Sequence, residues 1–340
     1  MGGLYSRFER LRPPNPRLFF GERSFCRLVH VDPVVLGHGG DRNPGIERSG
    51  IGVMGQDVEF LLRQLRAEDH PRYILCLLAP KGKRRALAAL YAFNLEISHI
   101  RDRVGEPLIR RMRLRFWRDA LDDVMAGKPP GHPMAKALAD IARRFDLTRA
   151  DLSALIDVRE LEFSGDQPTS MEDAIGRCRD QGGALHKMAA KILAGGDEPN
   201  HLEAAAMAGT AWAVVGLIRS VPFDASAGLC RLPVALCQAH GLDPNRARSP
   251  ESAKALSLVL NELGEAASKI LRQAGEVRWR KAAGPSIMIG YLAAVHIKRL
   301  RKVGFDLRRA EIADLLQGHR LSPSLMARLW WRINVSRSIN

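Results

Sequence analysis

The chain has 340 residues, of which 46% are hydrophobic, and this is enough to bury a sizeable core in one large or two ordinary domains. A formal net charge of +15 indicates an anionic partner, but aromatic residues make up only 6% and no nucleic-acid-binding module is present, so nucleic acid is not expected. The five cysteines form no C-x-x-C pair, which argues against a disulfide framework and a zinc site. No apolar run reaches the roughly 18 to 20 residues of a membrane span and no signal-peptide core is present, so we expect a cytoplasmic protein.

Residues 1–53 differ from the rest of the chain, because they are rich in Arg, Gly and Pro and have no sustained helical or strand period. This composition predicts a disordered N-terminal extension. A regular helical pattern begins at once with "MGQDVEFLLRQLRAED", so Met54 is the expected natural start of translation. Residues 1–53 would then lie before the natural start of translation.

Residues 54–310 form a succession of segments with apolar residues at helical spacing, separated by breakers such as "GKPPGHP" and "GLDPNRARSP". The sequence therefore predicts an all-α fold, a single-domain helical bundle around a central cavity. The segment "EAAAMAGTAWAVVGLI" is small and apolar on nearly every side. This is typical of a helix in the middle of a bundle that walls a cavity.

Residues 311–340 are predicted to form a basic C-terminal helical tail. Ser322 is the expected N-cap and Pro323 the first helical residue, and apolar residues then alternate with arginines in "SLMARLWWRIN". Two interpretations stay open for this tail. It is either a terminal helix docked on its own domain or an amphipathic element that rests on an anionic membrane or on a partner protein.

Three stretches, "YAFNLEISHIRD", "WRDALDDVMAGKPPGHP" and "GTAWAVVGLIRSVPFDASAGLCRLP", resemble in order and spacing the squalene/phytoene synthase family. The resemblance covers roughly residues 70–300. It implies an all-α isoprenoid-synthase-like fold in which two aspartate-rich motifs on facing helices hold Mg²⁺. In the family these ions bind two prenyl diphosphates, which the enzymes join head to head, and carboxylates are the hard oxygen ligands that Mg²⁺ prefers.

Both motifs depart from the family pattern at the acids. In the first, Ser98 and His99 stand at the adjacent aspartate positions and only Asp102 is retained. In the second, the remaining acid is Asp224, and the other family positions are occupied by non-acidic residues, which are Ala213, Gly216, Ser220 and Phe223. Two carboxylates would hold at most one cation, and imidazole is a poor ligand for Mg²⁺. We therefore expect no catalytic residues, no metal and no cofactor, with Asp102 and Asp224 as remnant positions.

The chain resembles one branch of this family more than its enzymes. That branch, the mitochondrial complex I assembly factor, also lacks metal-binding acids, and Phe93, Asn94 and Glu96 reproduce its Phe-Asn-x-Glu pattern. The resemblance implies a non-catalytic protein that assembles or stabilises respiratory NADH dehydrogenase, with a respiratory subunit or assembly protein as partner and a place on the inner membrane surface. The alternative is a Mg²⁺-dependent prenyltransferase that acts on farnesyl or geranylgeranyl diphosphate.

Three side chains are candidate ligand contacts, namely Arg219, Tyr91 and Glu162. Arg219 either meets an anion, such as a phosphate or lipid head group, at the cavity mouth or forms a structural ion pair with Asp102, Asp224 or another acid. Glu162 lies near an acid that the family carries between its two motifs. An exposed position on its helix is nevertheless the favoured prediction for Glu162.

One aspartate cluster remains, Asp119, Asp122 and Asp123 in "DALDD". Its i, i+3, i+4 spacing is compatible with a metal. The cluster does not fall on the family's metal positions, so we predict an ordinary solvated helix face. Phe116 and Trp117 are expected to pack inward on the opposite side.

Overall fold

The computed structural model describes residues 52–247, 249–316, 320–336 and 339, except for the side chains of residues 52–58, 102, 245 and 336. Within these ranges there is no β-strand, which confirms the predicted all-α fold. The first helices are α1 Gly52–Glu68, α2 His70–Leu78, α3 Lys81–Ser98, α4 Ile100–Arg103, α5 Pro107–Met125, α6 Pro133–Phe145, α7 Arg149–Ser164 and α8 Met171–Cys178. A π-helical turn, Arg179–Gly183, joins α8 to α9 Ala184–Ala194. The remaining helices are α10 Pro199–Ser226, α11 Val234–Ala239, α12 Ala253–Glu276, α13 Gly284–Ile287, α14 Ile289–Lys302, α15 Ala313–Leu316 and α16 Pro323–Trp331. The predicted disordered extension, residues 1–53, lies outside the described part except for the backbone of its last two residues, which begin α1. The proposed start of translation at Met54 stays a prediction.

Local signals in the sequence set the helix boundaries. Thr148 and Asp151 form a capping box at the start of α7, in which each side chain accepts a hydrogen bond from the other residue's backbone N–H. The helix ends at Gly165, whose φ of 77° is left-handed and favours glycine. These caps fix the ends of the helix that carries Glu162.

The long helix α10 is the centre of the bundle, as its composition predicts. It packs against α9, α12, α14 and the π-helical turn. Its alanines and valines Ala204, Ala208, Ala211 and Val215 are fully buried. By length and composition α10 could cross a membrane, but 61% of its apolar window is buried inside the protein, as in a core helix. The helix therefore places Trp212, Ile218 and Asp224 against the interior of the bundle.

Two glycines allow α10 to touch the π-helical turn. A Cβ atom added at Gly209 would lie 2.1 Å from the Gly182 carbonyl oxygen, and one added at Gly182 would lie 2.3 Å from the Gly209 oxygen. No larger residue fits without moving the backbone. This close approach positions the turn against the half of α10 that bears the second motif.

The C-terminal helix packs on the domain. The Ser322 side chain accepts a hydrogen bond from the Leu325 N–H and Pro323 begins α16, as the sequence predicts. Met326, Leu329 and Ile333 are buried in the common core. This packing favours the docked interpretation of the tail.

Candidate functional site

A cavity of about 560 Å³ lies between the two helices that carry the motif positions. Its walls come from the start of α2, the ends of α3 and α7, helix α4, the π-helical turn, the second half of α10 and residues 229–231. The predicted motif positions Ser98, His99, Ala213, Gly216, Ser220 and Phe223 all line it. The substituted motif positions are thus brought together at one cavity, whereas the remnant acid Asp224 does not line it.

Asp224 is the remnant acid of the second motif, and two arginines bind it. Its side chain is only 3% exposed. Arg101 of α4 donates a short hydrogen bond to Oδ1, and Arg231 places Nη2 2.8 Å from Oδ2. Both carboxylate oxygens therefore already have a guanidinium partner.

Glu162 on α7 has a similar arrangement. Arg159 Nη1 donates to its Oε2 at 2.8 Å, and Arg231 Nη1 donates to its Oε1 at 3.1 Å. Gln181 adds a hydrogen bond to Oε1 at 3.3 Å, and Arg159 also donates to Asn94 at 3.3 Å. Arg231 therefore bridges the carboxylates of Glu162 and Asp224.

The arginines determine the charge state of these two acids. Burial by itself would raise the pKa of Asp224, but the charge of Arg231, the neighbouring Ser220 hydroxyl, and the hydrogen bond and charge of Arg101 hold it below its ordinary value. The pKa of Glu162 is lowered in the same sense, since Arg159 and Arg231 outweigh its burial. Both carboxylates are therefore ionised and neutralised by side chains of the same chain.

The substituted motif positions make local contacts. Ser98 and Ser220 donate their hydroxyl hydrogens to backbone carbonyls one helical turn back, at 2.8 Å to Leu95 and 2.9 Å to Leu217. His99 Nδ1 lies 2.8 Å from the Glu68 carboxylate. Phe223 is 55% exposed. None of these groups supplies the carboxylate that the family carries there.

The described side chains do not fit Mg²⁺. No group of three or more His, Cys, Asp or Glu side chains in the described ranges is arranged to hold a metal. Mg²⁺ requires hard oxygen ligands in octahedral geometry, and it would have to displace guanidinium groups from Asp224 or Glu162. The side chain of Asp102, the first-motif remnant, lies outside the described residues.

Arg219 lines the cavity and, among described side chains, forms no ion pair. Its guanidinium carbon lies 5.9 Å from the centre of the Trp212 ring, and its Nε is buried without a hydrogen-bond partner. Burial lowers the pKa of Arg219, and the negative charge of the nearby Asp69 opposes this effect in part. The predicted pairing with Asp224 is wrong, because Arg101 and Arg231 already bind that carboxylate. The anion-binding interpretation remains a prediction.

The structure changes the other two candidate ligand contacts. Tyr91 is fully buried and does not line the cavity; its ring lies 5.5 Å from the His186 ring, so it is a core residue. Glu162 lines the cavity, but its predicted exposed position is wrong, because its side chain is only 14% exposed. A ligand could reach this carboxylate only by displacing Arg159 or Arg231.

The aspartate cluster of α5 is exposed, as predicted for a solvated face. Asp119 pairs with Arg115 at 2.9 Å and Asp122 pairs with Arg149. Trp117 packs inward, but the prediction for Phe116 is wrong, since its side chain is 46% exposed. Successive helical residues point about 100° apart, so only one of two adjacent aromatic residues can face the core directly.

Sequence reasoning missed the arginines of the site, Arg101, Arg159 and Arg231. The available signals were indirect. Arg101 immediately precedes Asp102, and Arg159 lies one turn before Glu162. Arg231 lies seven residues after Asp224. None of these signals identifies the acid that each arginine binds.

The sequence model described as squalene/phytoene synthase matches residues 65–325. The chain belongs to the squalene/phytoene synthase family. A curated relative from Bos taurus, NADH dehydrogenase (ubiquinone) complex I, assembly factor 6, is 28% identical over 262 residues, which are 76% of this chain and 78% of the relative. Phytoene synthase from Rhodobacter capsulatus is 25% identical over 233 residues, 68% of this chain and 66% of the relative.

The fold agrees with that of a solved family structure. A crystal structure of a dehydrosqualene synthase in complex with ligand superimposes with a TM-score of 0.70 and 17% sequence identity, covering 83% of this chain and 97% of that one. At this identity the similarity shows the fold alone. Both the predicted family and its assembly-factor branch are confirmed by these comparisons.

Proposed function

We propose that this chain is a non-catalytic member of the squalene/phytoene synthase family that acts in the assembly or stabilisation of respiratory NADH dehydrogenase. One observation carries the first part. Asp224, the described acid of the second motif, and Glu162, the acidic candidate ligand contact, are each bound by two guanidinium groups. Diphosphate ionisation needs several metal-ligating carboxylates, and here those oxygens are already bound. The assembly role is supported by the similarity to assembly factor 6.

An enzymatic assay tests the non-catalytic part. The protein is incubated with farnesyl or geranylgeranyl diphosphate and Mg²⁺, and released pyrophosphate is measured. We expect no release above the rate without protein. Mg²⁺-dependent release that the Asp224→Asn variant abolishes would instead establish the alternative, a head-to-head prenyltransferase.

A partner experiment tests the assembly part separately. Affinity purification of the tagged native chain from its source cells, followed by mass spectrometry, is expected to recover respiratory subunits or assembly proteins. Deletion of the gene should lower the amount of assembled NADH dehydrogenase, and the wild-type gene should restore it. Normal assembly in the deletion strain would contradict the role.

We place this protein in the cytoplasm, peripheral to the inner membrane, because its proposed partner is a membrane-bound respiratory complex. The C-terminal helix α16 offers little apolar surface for membrane contact. Its apolar residues Met326, Leu329 and Ile333 are used in the core, and Arg332 lies 4.2 Å above the Tyr291 ring. Only Trp331 is a strongly exposed large apolar residue of α16, at 51%.

A further inference from the structure

The first half of α5 has an apolar face that the described chain leaves largely exposed. Leu108 and Met112 are each 61% exposed, Ile109 is 45% exposed and Phe116 is 46% exposed. Every other helix has at most one strongly exposed large apolar residue among the described side chains. The concentration of four within nine residues of α5 therefore distinguishes this face from the scattered apolar residues of an ordinary surface.

This face is distinct from the one that α5 uses for its own fold. Leu108, Met112 and Phe116 follow an i, i+4, i+8 spacing, so they form a stripe about 12 Å long. The buried residues Leu114 and Trp117 point to nearly the opposite side of the helix, toward the core. Leu108 and Met112 are therefore not needed for packing α5 against the domain, whereas Phe116, at the end of the stripe, also lies 5.3 Å from the Trp117 ring and 6.1 Å from the His132 ring.

Arginines flank the stripe on both sides. Arg111 and Arg115 lie along one edge and Arg113 along the other, as the 100° helical rotation requires. Arg115 is paired with Asp119, but Arg111 and Arg113 are exposed and form no ion pair with a described side chain. Glu106, just before the helix, is the single acid between residues 104 and 118. This half of α5 is strongly cationic.

We propose that the apolar stripe of α5, Leu108, Ile109, Met112 and Phe116, rests on an anionic lipid bilayer with the helix parallel to the membrane plane. Apolar side chains would enter the boundary between head groups and acyl chains while flanking arginines bind lipid phosphates, as in interfacial amphipathic helices. A second copy of this chain fits poorly, because it would oppose the same arginines.

Vesicle co-sedimentation of the intact chain tests the proposal. We expect binding to phosphatidylcholine vesicles that contain phosphatidylglycerol, weaker binding to phosphatidylcholine alone, and weakening by salt as charges are screened. The double variant Leu108→Asp/Met112→Asp should bind anionic vesicles at least about tenfold more weakly, because it puts two acids on the membrane face. Arg111→Gln/Arg113→Gln should lose the preference for anionic lipid.

A matched control changes two exposed apolar residues elsewhere. Phe60→Asp/Leu258→Asp alters the net charge equally, at side chains that are 57% and 43% exposed, and should bind as wild type. Circular dichroism and urea midpoints establish that all variants are folded. The proposal is overturned if wild type does not bind, if neutral and anionic vesicles bind equally, or if the α5 variant binds as wild type. Loss of binding in Trp331→Asp/Val335→Asp alone would assign the contact to the C-terminus instead.

Discussion

Replacement of Asp224 by Asn removes the negative charge that Arg101 and Arg231 share. The side chain is 3% exposed, so solvent cannot compensate the two guanidinium groups well. Removal of one partner from a buried ion pair typically costs about 3–5 kcal/mol. Arg231 keeps its contact with Glu162, and the Arg101 side chain is 17% exposed toward the cavity. We therefore expect the free energy of unfolding to fall by about 2–3 kcal/mol, below the full range.

Urea denaturation at neutral pH measures this loss through the midpoint and slope of the transition. The matched control is Asp140→Asn on α6, an exposed i, i+4 pair with Arg144 at 3.2 Å. Such surface pairs contribute about 0.3–0.5 kcal/mol. Equal losses in both variants, or an Asp224→Asn variant as stable as wild type, would refute the view that the arginines are the structural counter-ions of this acid.

Three further predictions follow from the same structure. Gly209→Ala should lower the free energy of unfolding by about 3 kcal/mol or abolish folding, because its methyl group would overlap a facing backbone carbonyl. In the same urea experiment the control Gly176→Ala should be neutral or slightly stabilising, because its methyl group meets open space within α8. Burial lowers the pKa of His186 from 6.5 to about 3 and that of His296 to about 4, so the unfolded chain binds more protons between these values and about 6.5. The urea midpoint should therefore fall as pH is lowered from 7.5 to 5, and a constant midpoint would contradict this account. A hydrogen bond from the Cys237 thiol lowers the pKa of Cys230 to about 7. Iodoacetamide at pH 8 should therefore modify Cys230 first among the four described cysteines, as measured by peptide mass spectrometry. Slower modification of Cys230 than of the buried cysteines would contradict this prediction.

The fold was accessible from the sequence because its signals are local and periodic. The 3.6-residue spacing of apolar positions predicts the helices, and the nearly uniform apolar composition of α10 predicts its central place. Ser322 and Pro323 predict the start of α16 for a similar reason, since capping depends on adjacent residues. The sequence left open what the C-terminal helix packs against, because either a protein core or a membrane can cover an apolar helix face.

The candidate site was predictable only in part. The altered motif positions were found by their spacing, and the structure brings them to one cavity. The partners of the remaining acids were not found, because Arg101 and Asp224 are 123 residues apart and nothing in sequence spacing brings them together. Glu162 was misplaced for a related reason: one turn from Arg159, it looks like an ordinary surface pair, and only the packing of α7 against the cavity buries it.

The arginines also explain how the fold can persist after the acids of the family are lost. Facing carboxylates repel one another unless a cation lies between them, and in the enzymes that the motifs resemble this cation is Mg²⁺. Here Arg231 joins the acids of α7 and α10, and Arg101 joins α4 to α10. Guanidinium groups bind carboxylates through several directed hydrogen bonds, so they supply both charge and cross-links. The same arginines neutralise Asp224 and Glu162, so the contacts that stabilise the described site also occupy the carboxylate oxygens that a metal ion would need.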